Sequence, residues 1–198
     1  HDTFSFKRKL LGVDRFWFNL KPNEEAKGLD RCSDIVAIQY NEAVLFHYLN
    51  PLAKVYTVYS YFSPVELPVV ASNSILYIAG NNEVNLNGIT FFLQHVFPLI
   101  LAIRTDVSLE IGGSICDVIP SSLITSHVHL LGKIDKLESF YALGNISINP
   151  VYQGTGLKIK TFEGLSYGKA VVAHSHSVEG IYNIDPVSYT HLRAHETS

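Results

Sequence analysis

Methionine is absent from this 198-residue chain, tryptophan occurs once and cysteine twice. Cys32 and Cys116 stand far apart and outside any CxxC spacing, which excludes a disulfide framework and a cysteine zinc site and fits a reducing, cytoplasmic setting. A basic excess is missing as well. Fifteen Lys and Arg face 18 Asp and Glu, for a formal net charge of -3. A protein that binds nucleic acid by neutralising phosphates carries the opposite balance, so nucleic acid is not an expected partner. No uninterrupted apolar run, 75–80 and 97–103 included, approaches the roughly 20 residues of a spanning helix, so no membrane span is expected. Neither an Asp-x-Asp motif nor a His-x-x-x-His pair is present, and His174 with His176 reads as a polar strand exit; no metal and no other cofactor is expected. Repeats and low-complexity tracts are also lacking.

What is present is 47% hydrophobic residues, enough to bury a core. From residue 73 onward, short apolar runs alternate with helical stretches, the pattern of βαβ units around a parallel sheet. Strands are predicted at 74–79, 108–111, 128–131, 146–149 and 170–173, with helices at 85–103, 136–143 and 157–167. Gly168 stands where a C′ glycine closes the last helix. Before residue 60 the same alternation runs helix 23–31, strand 35–39, helix 41–49 and strand 55–59. Residues 62–73 hold Pro64 and Pro68 and follow neither period, which places an interdomain linker there, at 67–73. Both ends look artificial. A start at His1 without any Met implies that the natural N terminus lies upstream, and VSYTHLRAHET at 187–197 resembles translated sequencing-adapter read-through, so 187–198 is set aside as a non-native tail.

The segment most informative for chemistry is NPVYQGTGLKIKTFEGLSYGKAVV, residues 149–172. A strand ends, a loop with Gly154 and Gly156 turns, and a helix starts at about Leu157, so unpaired amides and the positive end of the helix dipole face the loop. Such a turn suits phosphate. Glycine lets the backbone approach an anion, Thr155 offers a hydroxyl, and Lys158 or Lys160 adds a full charge. Two residues apart on a helix, those lysines face different ways, so one of them is expected at the ligand. Glu163, one turn on, is placed to accept hydrogen bonds from two adjacent ribose hydroxyls. Spacing alone leaves this reading level with an ordinary strand-to-helix turn carrying solvated lysines.

The string GTGLKIKTFEGLSYGKAVVA closely resembles the signature of the group 1 glycosyltransferases, and GNNEVNLNGITFFLQHVFPLI, LEIGGS and LLGKIDKLESFYALGNISINP precede it in family order. The resemblance covers most of 73–183. It implies an α/β fold of the GT-B type, two Rossmann-like domains with parallel sheets, the first present only in part. On that reading residues 1–66 close the acceptor-side domain and 74–186 form an incomplete donor-binding domain. The implied activity is transfer of a sugar, with retention, from a nucleotide-diphosphate-sugar donor, UDP- or GDP-linked, to an unknown glycan, lipid or small-molecule acceptor. This chain alone is expected to be inactive.

Residue by residue, the resemblance places Glu163 on the donor ribose. The family pattern has two glutamates flanking seven residues; Thr155 occupies the first position, as in a subset with GTG in the turn, which puts its sugar contact in question. Gly80 and Asn81 match the loop nearest the donor phosphates, while Asn85 and Gly88 cap and pack the following helix. Gly132, Lys133 and Ile134 match the loop that holds the base through backbone groups, against the plainer reading of a strand-end turn. Gly154, Gly156, Leu157, Lys158 and Lys160 complete the donor set. His1, in HDTFSF, resembles a family histidine that contacts the transferred sugar as a catalytic residue, and RCSDIVAIQYNEAVLF at 31–46 matches the end of the first domain. Two other readings of the architecture stay open: a non-hydrolysing sugar-nucleotide epimerase, which needs acid and base carboxylates in the first domain, and a non-catalytic nucleotide-sugar-binding module. The setting is cytoplasmic, with association at the inner face of the membrane left open.

Overall fold

A computed structural model describes residues 20–154 and 158–178, and the backbone of 189–192. Contacts divide these residues into two units with a boundary between Tyr61 and Phe62; Gln153 and Gly154 group with the first. In the first unit α1 (Pro22–Leu29), β1 (Asp34–Ala37), α2 (Tyr40–Leu49) and β2 (Lys54–Thr57) follow the predicted order, and the two strands pair in parallel. Ile35, Ala37, Phe46 and Ala53 form its core. The Asn50 side-chain amide donates to Leu29 O at 2.9 Å, tying the end of α1 to the end of α2.

The second unit contains β3 (Ser74–Ile78), α3 (Glu83–Ile103), β4 (Ser108–Gly112), β5 (Val128–Gly132), α4 (Leu137–Tyr141), β6 (Ile146–Asn149), α5 (Ile159–Ser166), β7 (Ala170–His174) and β8 (Tyr189–Leu192). Its six strands form one parallel sheet in the order β5-β4-β3-β6-β7-β8. Because side chains alternate across a strand, Ile75, Tyr77, Leu109 and Ile111 pack on one face beneath α3, while Leu76 meets Phe140, Tyr141 and Tyr167 on the other. Helices therefore cover both faces, which explains why these strands read as apolar runs rather than alternating ones.

Three particulars add to the sequence reading. Residues 62–73 carry no regular element, as expected, yet they pack on the second unit: Val65 N–H donates to Ser166 O at 2.7 Å, and Phe62 stacks on Phe162 at 5.7 Å. Residues 189–192, within the segment set aside at 187–198, form β8, which extends the sheet in parallel beside β7. The third concerns the membrane. The helix Glu83–Ile103 spans 21 residues and is apolar enough, by length and composition alone, to cross a bilayer, a property that the core helix of a folded domain shares, so it does not overturn the expectation drawn from uninterrupted runs. Polar residues such as Gln94 and His95 break the run in sequence without adding charge. One stripe of this helix, Ile89, Phe92, Leu93 and Phe97, is buried in the core of the domain. Its middle turn, Phe92–Val96, is a π segment in which Phe97 N–H bonds Phe92 O, and Pro98 follows directly. A proline cannot donate to the preceding turn, and the wider turn accommodates it.

Candidate functional site

In the sheet order, β3 lies between β4 and β6, so the chain winds one way from β3 to β5 and the other way from β6 onward. The crevice above the carboxyl ends of strands at such a reversal is where open α/β sheets bind ligands. The loops leaving β3 and β6 flank it; among the described residues they hold Gly80, Asn81, Gly154 and Lys158, and Lys160 and Glu163 follow on the next helix.

After β3, Asn82 caps α3: its Oδ1 accepts from Asn85 N–H at 2.9 Å. Asn82 rather than Asn85 is therefore the cap, and Asn85, inside the first turn, makes other contacts. Its Nδ2 donates to Gly80 O at 2.8 Å and its Oδ1 accepts from Lys160 Nζ at 2.8 Å, so one buried amide joins the β3 loop to the first turn of α5. Asn81 is exposed, and its N–H donates to Ser114 Oγ at 2.9 Å. Burial pushes the Lys160 ammonium down to about 8, against the pull of Glu163 and with the push of Lys158. Gly88 sets how closely α3 approaches the other side of the crevice, since a Cβ there would come within 3.1 Å of Val151 Cα and 3.2 Å of Pro150 O.

After β6, a buried polar chain holds the loop. Asn149 Nδ2 donates to Thr161 Oγ1 at 3.0 Å, Thr161 Oγ1 donates to Ser177 O at 2.8 Å, and Ser177 Oγ donates to Val151 O. Gly154 has φ +110°, a conformation that favours glycine. Thr155, Gly156 and Leu157 lie outside the described residues, as does His1. Helix α5 starts at Ile159, two residues later than predicted, with Lys158 at its N-cap position. The two lysines do face different ways: Lys158 Nζ meets His176 Nε2 at 3.0 Å, whereas Lys160 reaches Asn85. One turn along, Glu163 Oε1 accepts from the Tyr141 hydroxyl at 2.9 Å.

Gly132, Lys133 and Ile134 follow β5. Gly132 has φ +67° and its carbonyl accepts from Gly113 N–H at 2.6 Å, while Gly113 packs so tightly on the Ala79 backbone that a Cβ would collide with it. That glycine joins the ends of β5 and β3. Ile134 packs against Gly112 and Phe140, and Lys133 pairs with Asp135 at 3.1 Å on the surface. A cavity of about 380 Å³ is lined here by Leu131, Lys133, Ile134, Lys136, Ser139 and Phe140. Among the described residues, no three His, Cys, Asp or Glu side chains cluster so as to hold a metal ion.

Sequence reasoning missed three participants. Asn85 was visible only as a helix-start asparagine, Tyr141 only as an apolar position of α4, and His176 only as a polar strand exit; each acquires its contact from an element distant in sequence.

A parallel sheet wound from both sides, with a glycine-containing turn and a lysine-bearing helix at its reversal, defines a Rossmann-like domain of the GT-B type. The sequence profile of the glycosyl transferases group 1 matches residues 66–185, and the chain belongs to that family. No curated protein matches it in sequence. Among solved structures, TarM superposes with a TM-score of 0.64 at 10% identity over 88% of this chain and 35% of its own. An S. aureus TarM variant in complex with fondaparinux, alpha-GlcNAc-glycerol and UDP gives 0.62, at 10% identity over 88% and 36%. The pneumococcal O-GlcNAc transferase GtfA in complex with UDP and GlcNAc gives 0.59, at 12% identity over 76% and 32%. The chain thus spans about a third of the length of these relatives.

Proposed function

We propose that this chain carries the donor-binding part of an enzyme that transfers a sugar from a nucleoside-diphosphate donor to a glycan or other acceptor with retention. The observation that carries the reading is the crevice at the sheet reversal, where Lys160 reaches Asn85 beside the loop leaving β3 and Glu163 follows one turn along the same helix. In this reading the diphosphate lies at the N terminus of α5, beside Gly80, Asn81, Lys158 and Lys160. The ribose diol meets Glu163, and the base lies against Gly132–Ile134. Complexes of the solved relatives with UDP support uracil as the base. Breaking the glycosidic bond places charge on the departing diphosphate, and the amides of the turn and the two lysines offset it in a partly dehydrated site. No metal is needed for that neutralisation.

Calorimetric titration with UDP tests the assignment. Glu163→Ala is expected to weaken binding by about 1–3 kcal/mol through lost ribose hydrogen bonds, and equal affinity of the two proteins removes Glu163 from the site. Replacing Mg²⁺ with a chelator is expected to leave affinity unchanged; a strict requirement for the ion overturns the metal-free reading.

A further inference from the structure

We infer that Tyr141 is a positioning residue for Glu163, holding one carboxylate oxygen so that the other is presented to the donor ribose. The inference rests on the donor reading above. Tyr141 is fully buried at the end of α4, and its hydroxyl donates to Glu163 Oε1 across 22 residues of sequence at 2.9 Å. Two aromatic contacts set the plane of its ring: Tyr167 stacks on it at 4.4 Å with 13° between planes, and Phe140 meets it edge-on at 5.4 Å. Burial and the neighbouring carboxylate hold the phenol far above its ordinary range, so it remains a proton donor at any working pH.

Glu163 itself is only half-buried. Within the described residues its Oε2 makes no hydrogen bond, while Oε1 is committed to Tyr141. A glutamate is among the side chains that lose most rotamer freedom when ordered. Here that ordering is done by the apolar core under α4 and α5 before any ligand arrives, which is how preorganisation raises affinity without adding a contact. One oxygen of this half-buried carboxylate is anchored to a buried ring, which leaves lone pairs on both oxygens for two adjacent hydroxyls that donate.

The test compares UDP with 2′-deoxy-UDP on the whole chain by calorimetry. Wild type is expected to prefer the ribonucleotide, and Glu163→Ala to abolish the preference. Tyr141→Phe keeps both ring contacts and removes one oxygen; it is expected to cut UDP affinity about five- to ten-fold while leaving 2′-deoxy-UDP within about two-fold. A purely structural role for Tyr141 weakens both nucleotides equally, and that result overturns the inference. If Tyr141→Phe fails to melt cooperatively, 4-methylphenylalanine at position 141 fills the hydroxyl's volume without a donor and is expected to give the same selective loss. Absence of any preference in wild type, or its survival in Glu163→Ala, defeats the donor reading. A preference abolished by Glu163→Ala but retained in both position-141 variants defeats the role of Tyr141 alone.

Discussion

Lys160 offers the sharpest quantitative test, because its burial and its place at the proposed diphosphate site act on the same proton. The ammonium is withdrawn from water beside Asn85, which pushes its pKa down to about 8; Lys158 adds to the shift and Glu163 opposes it. A diphosphate brought alongside supplies negative charge and favours the protonated form. The sign follows directly. Below pH 8 the empty site already holds its charge and affinity is full; above pH 8 the ligand must recruit a proton, and affinity falls as pH rises. At pH 9 about a tenth of the empty sites remain protonated, so the expected loss relative to pH 7 is roughly ten-fold, or about 1.4 kcal/mol. Of the neighbouring phenols, Tyr141 is held far above this window and does not contribute. Calorimetry of UDP binding between pH 7 and 9, repeated in buffers of different ionisation enthalpy, reads both the affinity and the proton taken up. Lys160→Arg, charged throughout, is expected to flatten the profile relative to wild type. Identical profiles for the two proteins, or no proton uptake by wild type at pH 8.5, refute the placement of Lys160 against the diphosphate.

Two further outcomes concern the frame of the crevice. Gly88→Ala gains the helical preference of alanine but forces a methyl against the backbone at Pro150 and Val151, which cannot withdraw as a side-chain tip can; a net loss of about 1–3 kcal/mol in denaturant unfolding is expected, and a stabilised variant contradicts the packing described. Thr161→Val keeps the shape of a fully buried side chain but strands the Asn149 amide and the Ser177 carbonyl, whose expected cost is about 2–4 kcal/mol; a melting temperature within a degree of wild type shows that the polar chain is dispensable.

Local pattern alone determined a good deal about this protein. The strands at 146–149 and the helix at 85–103 were placed within two residues, because apolar spacing reports which residues share one face of one element. The glycine turn before α5 was visible for the same reason, since its chemistry is carried by consecutive residues. Strand order, by contrast, depends on how separate elements pack, and only the tertiary structure shows β3 beside both β4 and β6, opening the crevice between their loops. Lys158 and Lys160 could be told apart as pointing differently but not assigned, since Asn85, 75 residues away from Lys160, and His176 decide where each ammonium goes. The apolar helix Glu83–Ile103 is similarly ambiguous by composition; its role comes from the sheet face that buries Ile89, Phe92 and Phe97. Tyr141 is an aromatic at helical spacing like any other until the fold brings α4 against α5 and its hydroxyl onto Glu163. Periodicity is a property of one segment, whereas these contacts are properties of pairs of segments, and the choice of pairs is made by the burial of whole faces when the sheet assembles.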